Sequence, residues 1–222
     1  MSGSWWVEIV FLAMLAGFIA LRLVSVLGRR TGHEQGPVDL FRQPAPEVAP
    51  AGGAPRDTAK PLTLALPADT PAAAVSGLEA IAAADPGFDP ARFLAGARQA
   101  YGMTLEAFWK GELGPVEGFI ADDVADQFRR AIAARRADGL VVANRIEDIA
   151  SPTVIGASLE GMMAEVTLRF DARIESVTRD TEGRVVAGAP GETVTTTDAW
   201  TFRRHVAQSD PTWLIVSTDD AD

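Results

Sequence analysis

The longest apolar stretch of the chain lies near its amino end. Residues 5–27 read WWVEIVFLAMLAGFIALRLVSVL and carry two charged side chains, Glu8 and Arg22. A helix needs about 20 mostly apolar residues to cross a hydrocarbon core about 30 Å thick. The pattern therefore predicts a membrane-spanning helix, and we assign residues 1–30 to an N-terminal transmembrane anchor.

A cleaved signal peptide and a buried core helix are the competing interpretations of this stretch. A signal peptide carries its basic residues before the apolar run, whereas Arg22, Arg29 and Arg30 follow the unbroken apolar core. A core helix is disfavoured because the proline-rich segment that comes next cannot pack on it. Since cytoplasmic flanks carry the excess of Lys and Arg, the arginines predict a single-pass helix with the amino terminus outside and the remaining chain in the cytoplasm. Trp5 and Trp6 suit the aromatic belt at the outer interface.

The next segment, residues 31–70, has no sustained hydrophobic period and contains seven prolines. Such a segment buries too little apolar surface to offset the entropy that ordering would cost. We therefore expect a Pro/Ala-rich disordered linker with a root-mean-square reach of roughly 35 Å. His33 lies here with no second histidine or cysteine nearby, which disfavours a metal role.

Three stretches between residues 71 and 136 have the apolar spacing of helices. Starts are indicated at Pro71 and Pro90, which both follow a good capping residue. The third stretch has acids in its first turn and arginines in its last, in accord with the helix dipole. The second is expected to end at residues 111–115, where glycine and proline interrupt the pattern. It has the clearest buried stripe, which comprises Phe93, Ala97, Tyr101, Leu105, Phe108 and Trp109.

From Leu140 the hydrophobic period changes to two, which is typical of strands with one buried face. The clearest case is residues 162–175, where apolar residues alternate with charged or polar ones. Further strands are expected at residues 140–155 with a bend near Pro152, at 184–187, at 193–205 and at 212–218, with a turn at 180–183 and a loop at 188–192. Helices followed by an antiparallel meander predict an α+β domain.

The charge balance of the chain limits the kinds of partner that it can bind. The chain has 222 residues, 30 acidic and 20 basic side chains, a formal net charge of -10 and no cysteine. It therefore lacks the broad positive footprint of a nucleic-acid binder, and bulk charge does not attract it to anionic lipid. The absence of cysteine excludes disulfides, iron–sulfur ligation and thiol catalysis.

The sequence contains no glycine-rich phosphate loop, no G-x-S-x-G, no H-E-x-x-H and no metal-spaced cluster. We therefore expect no catalytic residue, no metal and no cofactor. His205, the one histidine after residue 33, falls on the polar side of its strand. Asp198 differs because it shares a face with Trp200 and Phe202, and it must find a donor if that face is buried. A functional role and a structural hydrogen bond are both open for it.

Three stretches of the chain resemble a known family. They are VLGRRTGHE at residues 26–34, FDPARFLAGARQAYGMTLEAFWKGEL at residues 88–113 and TDAWTFRRHVAQSDPTWLIVST at residues 197–218. In this order they are similar to the bacterial branch of the Tim-forty-four-like (Tim44-like) family, whose namesake is the inner-membrane adaptor of the mitochondrial protein-import motor. The resemblance covers residues 71–218 and the anchor.

The resemblance implies a fold and a site. The fold is a cone-like α+β domain over residues 71–222, related to the nuclear-transport-factor-two-like and cystatin-like folds, with helices packed on a curved antiparallel sheet. Inside the cone the family has a large apolar pocket. Taken with the alternation along the strands, the pocket or partner-binding residues are expected to be Phe108, Val166, Leu168, Phe170, Asp198, Trp200, Phe202 and Trp213.

The resemblance also implies a function. We expect a non-enzymatic adaptor anchored in the bacterial inner membrane, whose cytoplasmic domain docks a protein or lipid partner in protein transport or in the assembly of a membrane complex. A lipid or acyl chain in the apolar pocket is one form of such a partner. The alternative is a small-molecule-binding domain, or an isomerase-like or dehydratase-like enzyme on the same cone fold, for which Asp198 is the candidate carboxylate.

Overall fold

The computed structural model describes residues 70–221. Three helices come first, α1 (Ala72–Ala84), α2 (Pro90–Lys110) and α3 (Asp122–Ala137). Six strands follow, β1 (Val141–Val142), β2 (Arg145–Ile149), β3 (Thr153–Glu160), β4 (Met163–Arg179), β5 (Val185–His205) and β6 (Leu214–Asp220). These strands pair antiparallel in one open sheet. The α+β class predicted from the sequence is confirmed.

The predicted transmembrane anchor and nearly all of the predicted linker lie outside the described residues. The anchor residues Trp5, Trp6, Arg22, Arg29 and Arg30 therefore stay sequence-based predictions. Among residues 70–221, no helix is both long enough and apolar enough to cross a membrane.

Helix α2 begins and ends where the sequence predicts. Asp89 caps it by accepting a 3.0 Å hydrogen bond from the backbone N–H of Arg92, and Pro90 occupies the first helical position. At the other end Gly111 adopts the left-handed conformation with φ 74°, which closes the helix without a Cβ clash. These two caps set the ends of α2.

Strand β4 is the centre of the sheet. On one side it pairs in succession with β1, β2 and β3, and on the other side it pairs with β5, which pairs with β6. The regular ladder beside β4 is interrupted at residues 150–152, between β2 and β3. The bend predicted near Pro152 is confirmed, because proline has no N–H to donate to the ladder.

Strand β5 differs from its prediction. A short strand, a loop at residues 188–192 and a second strand were expected, but one strand runs through from Val185 to His205. The loop is present as a bulge within this strand, since Glu175 pairs with Thr193 while Val177, two residues further on, pairs with Gly188. The backbone N–H of Gly191 donates to the Glu175 carboxylate at 2.6 Å, which holds the bulge against β4.

The inner face of the sheet forms the hydrophobic core together with the helices. Val166, Leu168 and Phe170 of β4 are fully buried there. Tyr101, near the middle of α2, is also fully buried. Burial of such side chains stabilises the fold by about 1.5–3 kcal/mol each, so the alternating pattern of β4 carries much of the stability of the domain.

The outer face of the sheet is polar and carries cross-strand ion pairs. Arg203 on β5 donates to Glu165 on β4 at 2.6 Å. Asp171 accepts from Arg169 at 3.0 Å and from the Thr197 hydroxyl at 2.8 Å. These contacts are those of a solvated, ion-paired strand face rather than of catalytic carboxylates.

Candidate functional site

Five of the eight residues predicted for the pocket lie side by side on the inner face of the sheet. Val166, Leu168 and Phe170 come from β4, and Trp200 and Phe202 come from the neighbouring β5, with exposures of 0–3%. In the register of the two strands Val166 faces Phe202 and Leu168 faces Trp200. The structure therefore brings these residues together as the alternation predicts.

Helix α2 fills the space above these side chains. The ring of Tyr101 stacks on Phe170, with centroids 4.4 Å apart and planes 2° from parallel. It also lies 4.7 Å from the Trp200 ring. Nearer the start of the helix, Phe93 meets the edge of Phe202 at 5.7 Å. The predicted pocket residues are thus packed against aromatic side chains of the same chain.

The remaining two apolar members of the predicted set lie apart from each other. Trp213, which is half-buried, packs on Phe93 with ring centroids 4.7 Å apart. Phe108, also half-buried, packs 5.2 Å from Phe128 of α3, and the Arg135 guanidinium lies 5.4 Å from its ring centroid. They cover two different parts of the core, so the eight residues do not line one cavity in this structure.

Asp198 points to the inner face, as the sequence predicts, and a buried donor satisfies it. The Tyr101 hydroxyl donates to its Oδ2 atom at 2.5 Å. Burial raises the pKa of the Asp198 carboxyl above its ordinary value, the Tyr101 hydrogen bond opposes this, and the charge of Asp220, directly opposite on β6, adds to it. Burial and the same hydrogen bond also raise the pKa of Tyr101. The helical spacing placed Tyr101 on the buried stripe of α2, but it gave no sign of the contact with Asp198, which lies 97 residues further along the chain.

A carboxyl and a phenol in hydrogen-bond contact are groups that can exchange a proton. Here Tyr101 packs against Phe170 and Trp200, and no basic side chain within residues 70–221 pairs with Asp198. Within residues 70–221, no group of three or more histidine, cysteine or acidic side chains is arranged to hold a metal ion. The pair is therefore suited to a structural hydrogen bond or to proton transfer.

A surface recess of about 250 Å³ lies where α2 ends beside β1 and β2. We call it the Trp109 recess, and it is lined by Glu106, Trp109, Lys110, Val142, Asn144, Arg145 and Ile146. Two ion pairs border it, Lys110 with Glu106 at 3.0 Å and Arg145 with Glu175 at 2.9 Å. The helical spacing placed Trp109 on the stripe of α2. It gave no sign of the recess, because residues of β1 and β2, distant in the sequence, form the opposite wall.

The arginines of α3 mostly serve the fold. Arg129 pairs with Asp126 at 2.7 Å and with Glu117 at 3.0 Å. Arg135 donates to the backbone carbonyl of Trp109 at 2.9 Å, and its partial burial lowers its pKa. Arg136 donates to Gly111 O at 3.1 Å. These contacts favour a structural role over a basic docking patch.

The class of protein follows from these features. Three helices precede an open antiparallel sheet, and the inner face of that sheet is packed on α2. The described residues thus form an α+β domain in which α2 packs on the sheet, with the Tyr101–Asp198 hydrogen bond between them.

A model of the Tim44-like domain matches residues 74–220. The chain therefore belongs to the Tim44-like family, a family of membrane-associated adaptors. The resemblance stated from the sequence is confirmed. The match begins at residue 74, within α1, and runs to residue 220, the end of β6.

Among solved structures, the chain is similar to the intermembrane space region of the chloroplast protein ARC6, with 13% identity and a TM-score of 0.38, covering 58% of this chain and 97% of that one. It is also similar to a de novo designed β-sheet protein solved by NMR, with 16% identity and a TM-score of 0.30, covering 58% of this chain and 88% of that one. No curated protein sequence matches the chain. The family assignment therefore rests on the match to the Tim44-like domain.

Proposed function

We propose that the chain is a non-enzymatic adaptor, anchored in the bacterial inner membrane by residues 5–27, whose cytoplasmic domain docks a protein partner. The observation that carries this proposal is the Tim44-like domain at residues 74–220. In this proposal the anchor holds the chain at the membrane, and the linker at residues 31–70 lets the domain extend away from it. The activity of the protein is then to bring its partner to the membrane, in protein transport or in the assembly of a membrane complex.

The packing of the inner face supports a protein partner over an acyl chain. Phe170 and Trp200 are in contact with Tyr101, and a lipid tail would have to displace that ring and its hydrogen bond to Asp198. Well-packed aromatic cores resist such insertion, because each lost contact reduces the stability. Docking on the surface requires no such change.

The Trp109 recess is the surface that we propose for docking. Its lining includes Trp109, Val142 and Ile146, and the ion pairs described above lie at its border. Protein interfaces have this composition, with aromatic and arginine side chains at the centre and charged residues around them. An apolar side chain of the partner would fill the recess and cover Trp109.

Site-specific photo-crosslinking in membranes tests this proposal. A photoreactive residue replaces exposed Glu106, at the border of the Trp109 recess, and in a matched variant it replaces exposed Arg173, on the outer face of the sheet. We expect a discrete crosslinked protein from position 106 and not from position 173. Equal crosslinking from both positions would contradict docking at the Trp109 recess. Crosslinks to lipid alone would contradict the proposal that the partner is a protein.

A second candidate function rests on the contact between Asp198 and Tyr101. An inward carboxyl with a raised pKa, such as that of Asp198, is a common feature of general acid–base sites. This feature favours an isomerase-like or dehydratase-like enzyme as the second candidate. Such a site would bind a small carbonyl compound next to Asp198. A thermal-shift screen of such compounds tests it, because a true ligand would stabilise the wild-type chain and not the Asp198→Asn variant.

A further inference from the structure

One edge of β5 has no neighbouring strand over residues 193–196. On one side β5 pairs with β4, and on its other side β6 pairs with residues 198–203. Just beyond β6, the backbone N–H of Ala221 donates to the carbonyl oxygen of Thr197 at 2.9 Å. In the described part of the chain, no backbone group pairs with this side of residues 193–196. We call these four residues the open edge of β5, which the bulge at residues 188–192 bounds at its other end.

The backbone groups of Thr193 and Thr195 point out along the open edge. The bond from Ala221 shows that the carbonyl group of Thr197 points away from β4. In an antiparallel ladder, the N–H and C=O of one residue point to the same side of the strand, and that side alternates from residue to residue. The N–H and C=O groups of Thr195 and Thr193 therefore also point away from β4. They are free to pair with a further strand.

The side chain of Val194 lies on the inner face of the sheet but is 51% exposed, whereas Ile174, directly opposite on β4, is 5% exposed. The course of α2 explains this difference. The helix meets Asp198 of β5 at Tyr101 and then reaches β1 and β2 at Trp109, so it leaves β5 uncovered at Val194. The open edge thus combines unpaired backbone groups with an uncovered apolar side chain.

The open edge lacks the features that usually prevent strands from pairing between molecules. Such features are lysine, proline and inward-pointing charges, and the open edge reads TVTT. Its β-branched side chains favour an extended strand. The sequence is also symmetric about Val194, with a threonine on either side. Symmetry of this kind suits two copies of one chain, because a two-fold axis brings the same surface of both copies together.

We propose that two copies of the chain pair through the open edge of β5, antiparallel about a two-fold axis at Val194. Thr193 of one copy then exchanges both of its backbone hydrogen bonds with Thr195 of the second copy. The two Val194 side chains face each other in a non-hydrogen-bonded pair, with Cα atoms about 4.5 Å apart. Glu192 lies opposite Thr196 of the second copy, so no like charges meet directly across the strands.

This pairing joins the sheets of the two copies into one continuous sheet and covers both Val194 side chains. It does not rest on the adaptor function, because the contact involves this chain alone.

Disulfide crosslinking of the purified full chain in detergent tests the contact. The chain contains no cysteine, so a single Val194→Cys substitution reports on this position alone. A spacing of about 4.5 Å between Cα atoms lies within the range of about 4.4–6.8 Å that a disulfide requires. Val141→Cys is the matched control, since Val141 is an exposed strand valine on β1, 60% exposed.

We expect the disulfide-linked dimer to form at least about tenfold faster with Val194→Cys than with Val141→Cys, because pairing raises the effective concentration of the opposed thiols. Non-reducing gel electrophoresis over a time course of oxidation measures both rates. Equal rates for the two variants would show random collision and would overturn the proposal.

A proline at position 195 gives an independent test. Because the N–H of Thr195 points away from β4, Thr195→Pro removes a donor of the dimer and leaves the ladder to β4 intact, a position at which edge strands tolerate proline. Thr195→Val keeps this N–H and is the control. Light scattering should give a dimer for the wild type and for Thr195→Val, and half that protein mass for Thr195→Pro.

Thermal unfolding establishes that Thr195→Pro is folded. A monomeric wild-type chain, or a dimer that persists in the folded Thr195→Pro chain, would overturn the proposal. If Thr195→Pro does not fold, the two cysteine variants decide the question, since both replace exposed side chains. The adaptor function is unaffected by either result, because crosslinking at the Trp109 recess tests it separately.

Discussion

At the scale of single residues, Tyr101 determines the properties of the inner face of the sheet. Its ring occupies the space above Phe170, and its hydroxyl meets Asp198. The same side chain thus fills the volume that an acyl chain would need and satisfies the carboxyl that an enzyme would use. Substitutions at Tyr101 and at Asp198 therefore distinguish the packing of the ring from the chemistry of the carboxyl.

Tyr101→Phe should reduce the free energy of unfolding by about 1–3 kcal/mol, because it removes the Tyr101 hydrogen bond from the half-buried Asp198 carboxyl while keeping the ring. Tyr101→Ala should cost more, about 3–5 kcal/mol, because it also opens a cavity beside Phe170 and Trp200. Urea unfolding at neutral pH measures both. A Tyr101→Phe chain as stable as the wild type would contradict the importance of the hydrogen bond.

The stability of the wild-type chain should carry a pH dependence from Asp198. A carboxyl whose pKa is higher in the folded than in the unfolded chain binds protons more tightly when folded. Its contribution to stability therefore falls as the pH rises from the ordinary value of 3.8 toward the raised folded value. Asp198→Asn should remove this slope, so its stability relative to the wild type should increase across that range. Unfolding of both chains over a pH series is the measurement, and a relative stability that decreases with pH contradicts the raised pKa.

At the scale of the elements, the bulge in β5 explains how one long strand contains a glycine-rich sequence. Gly188 has a φ of 73°, and a Cβ there would lie 1.8 Å from the carbonyl oxygen of Ser176 on β4. The backbone of the bulge thus crosses close above β4 at a point that only glycine can occupy. The sequence indicated a loop because glycine and proline are frequent in loops, but the neighbouring strand continues and pairs on both sides of the bulge.

Gly188→Ala should destabilise the domain clearly more than Gly183→Ala. Both glycines have positive φ, 73° and 79°, so each alanine meets a backbone cost of about 1–2 kcal/mol. At Gly188 the clash with Ser176 adds to that cost, whereas nothing lies within 4 Å of a Cβ at Gly183. Thermal unfolding of the two variants measures the difference. Equal losses would mean that the bulge moves away from β4 without cost.

At the scale of the whole molecule, the proposed adaptor uses different segments for membrane attachment and for its folded core. The hydrophobic core of the domain is built from residues 74–215, while the predicted anchor ends before residue 31. We therefore expect the domain to fold whether or not the anchor is present.

Deletion of residues 5–27 should move the chain from the membrane to the soluble fraction and leave its folding unchanged. The physical reason is that the anchor supplies the apolar length for insertion, whereas the domain has its own core. Membrane fractionation measures location, and thermal unfolding of the domain measures folding. A deleted chain that stays in the membrane fraction with its partner would contradict the proposed role of the anchor.

The sequence by itself determined the α+β class, the start and end of α2 and the residues of the inner face. These features depend on local rules, since capping residues act within one turn and alternation sorts a strand into a buried and an exposed face. The alternation in residues 162–175 was sufficient to place Val166, Leu168 and Phe170 inside. The three stretches that carry the family resemblance were not needed for this step.

The tertiary structure alone decided what occupies that inner face. The Tyr101 hydroxyl donates to Asp198, which is 97 residues away in the sequence. Gly77 of α1 lies close to the backbone of Ala157 on β3, and Trp109 lines a recess together with residues of β1 and β2. Such contacts depend on where two elements cross, and the hydrophobic pattern of either element is the same whether the space between them is empty or filled. The sequence therefore located the side chains that face inward, and the packing of α2 determined that they form a core.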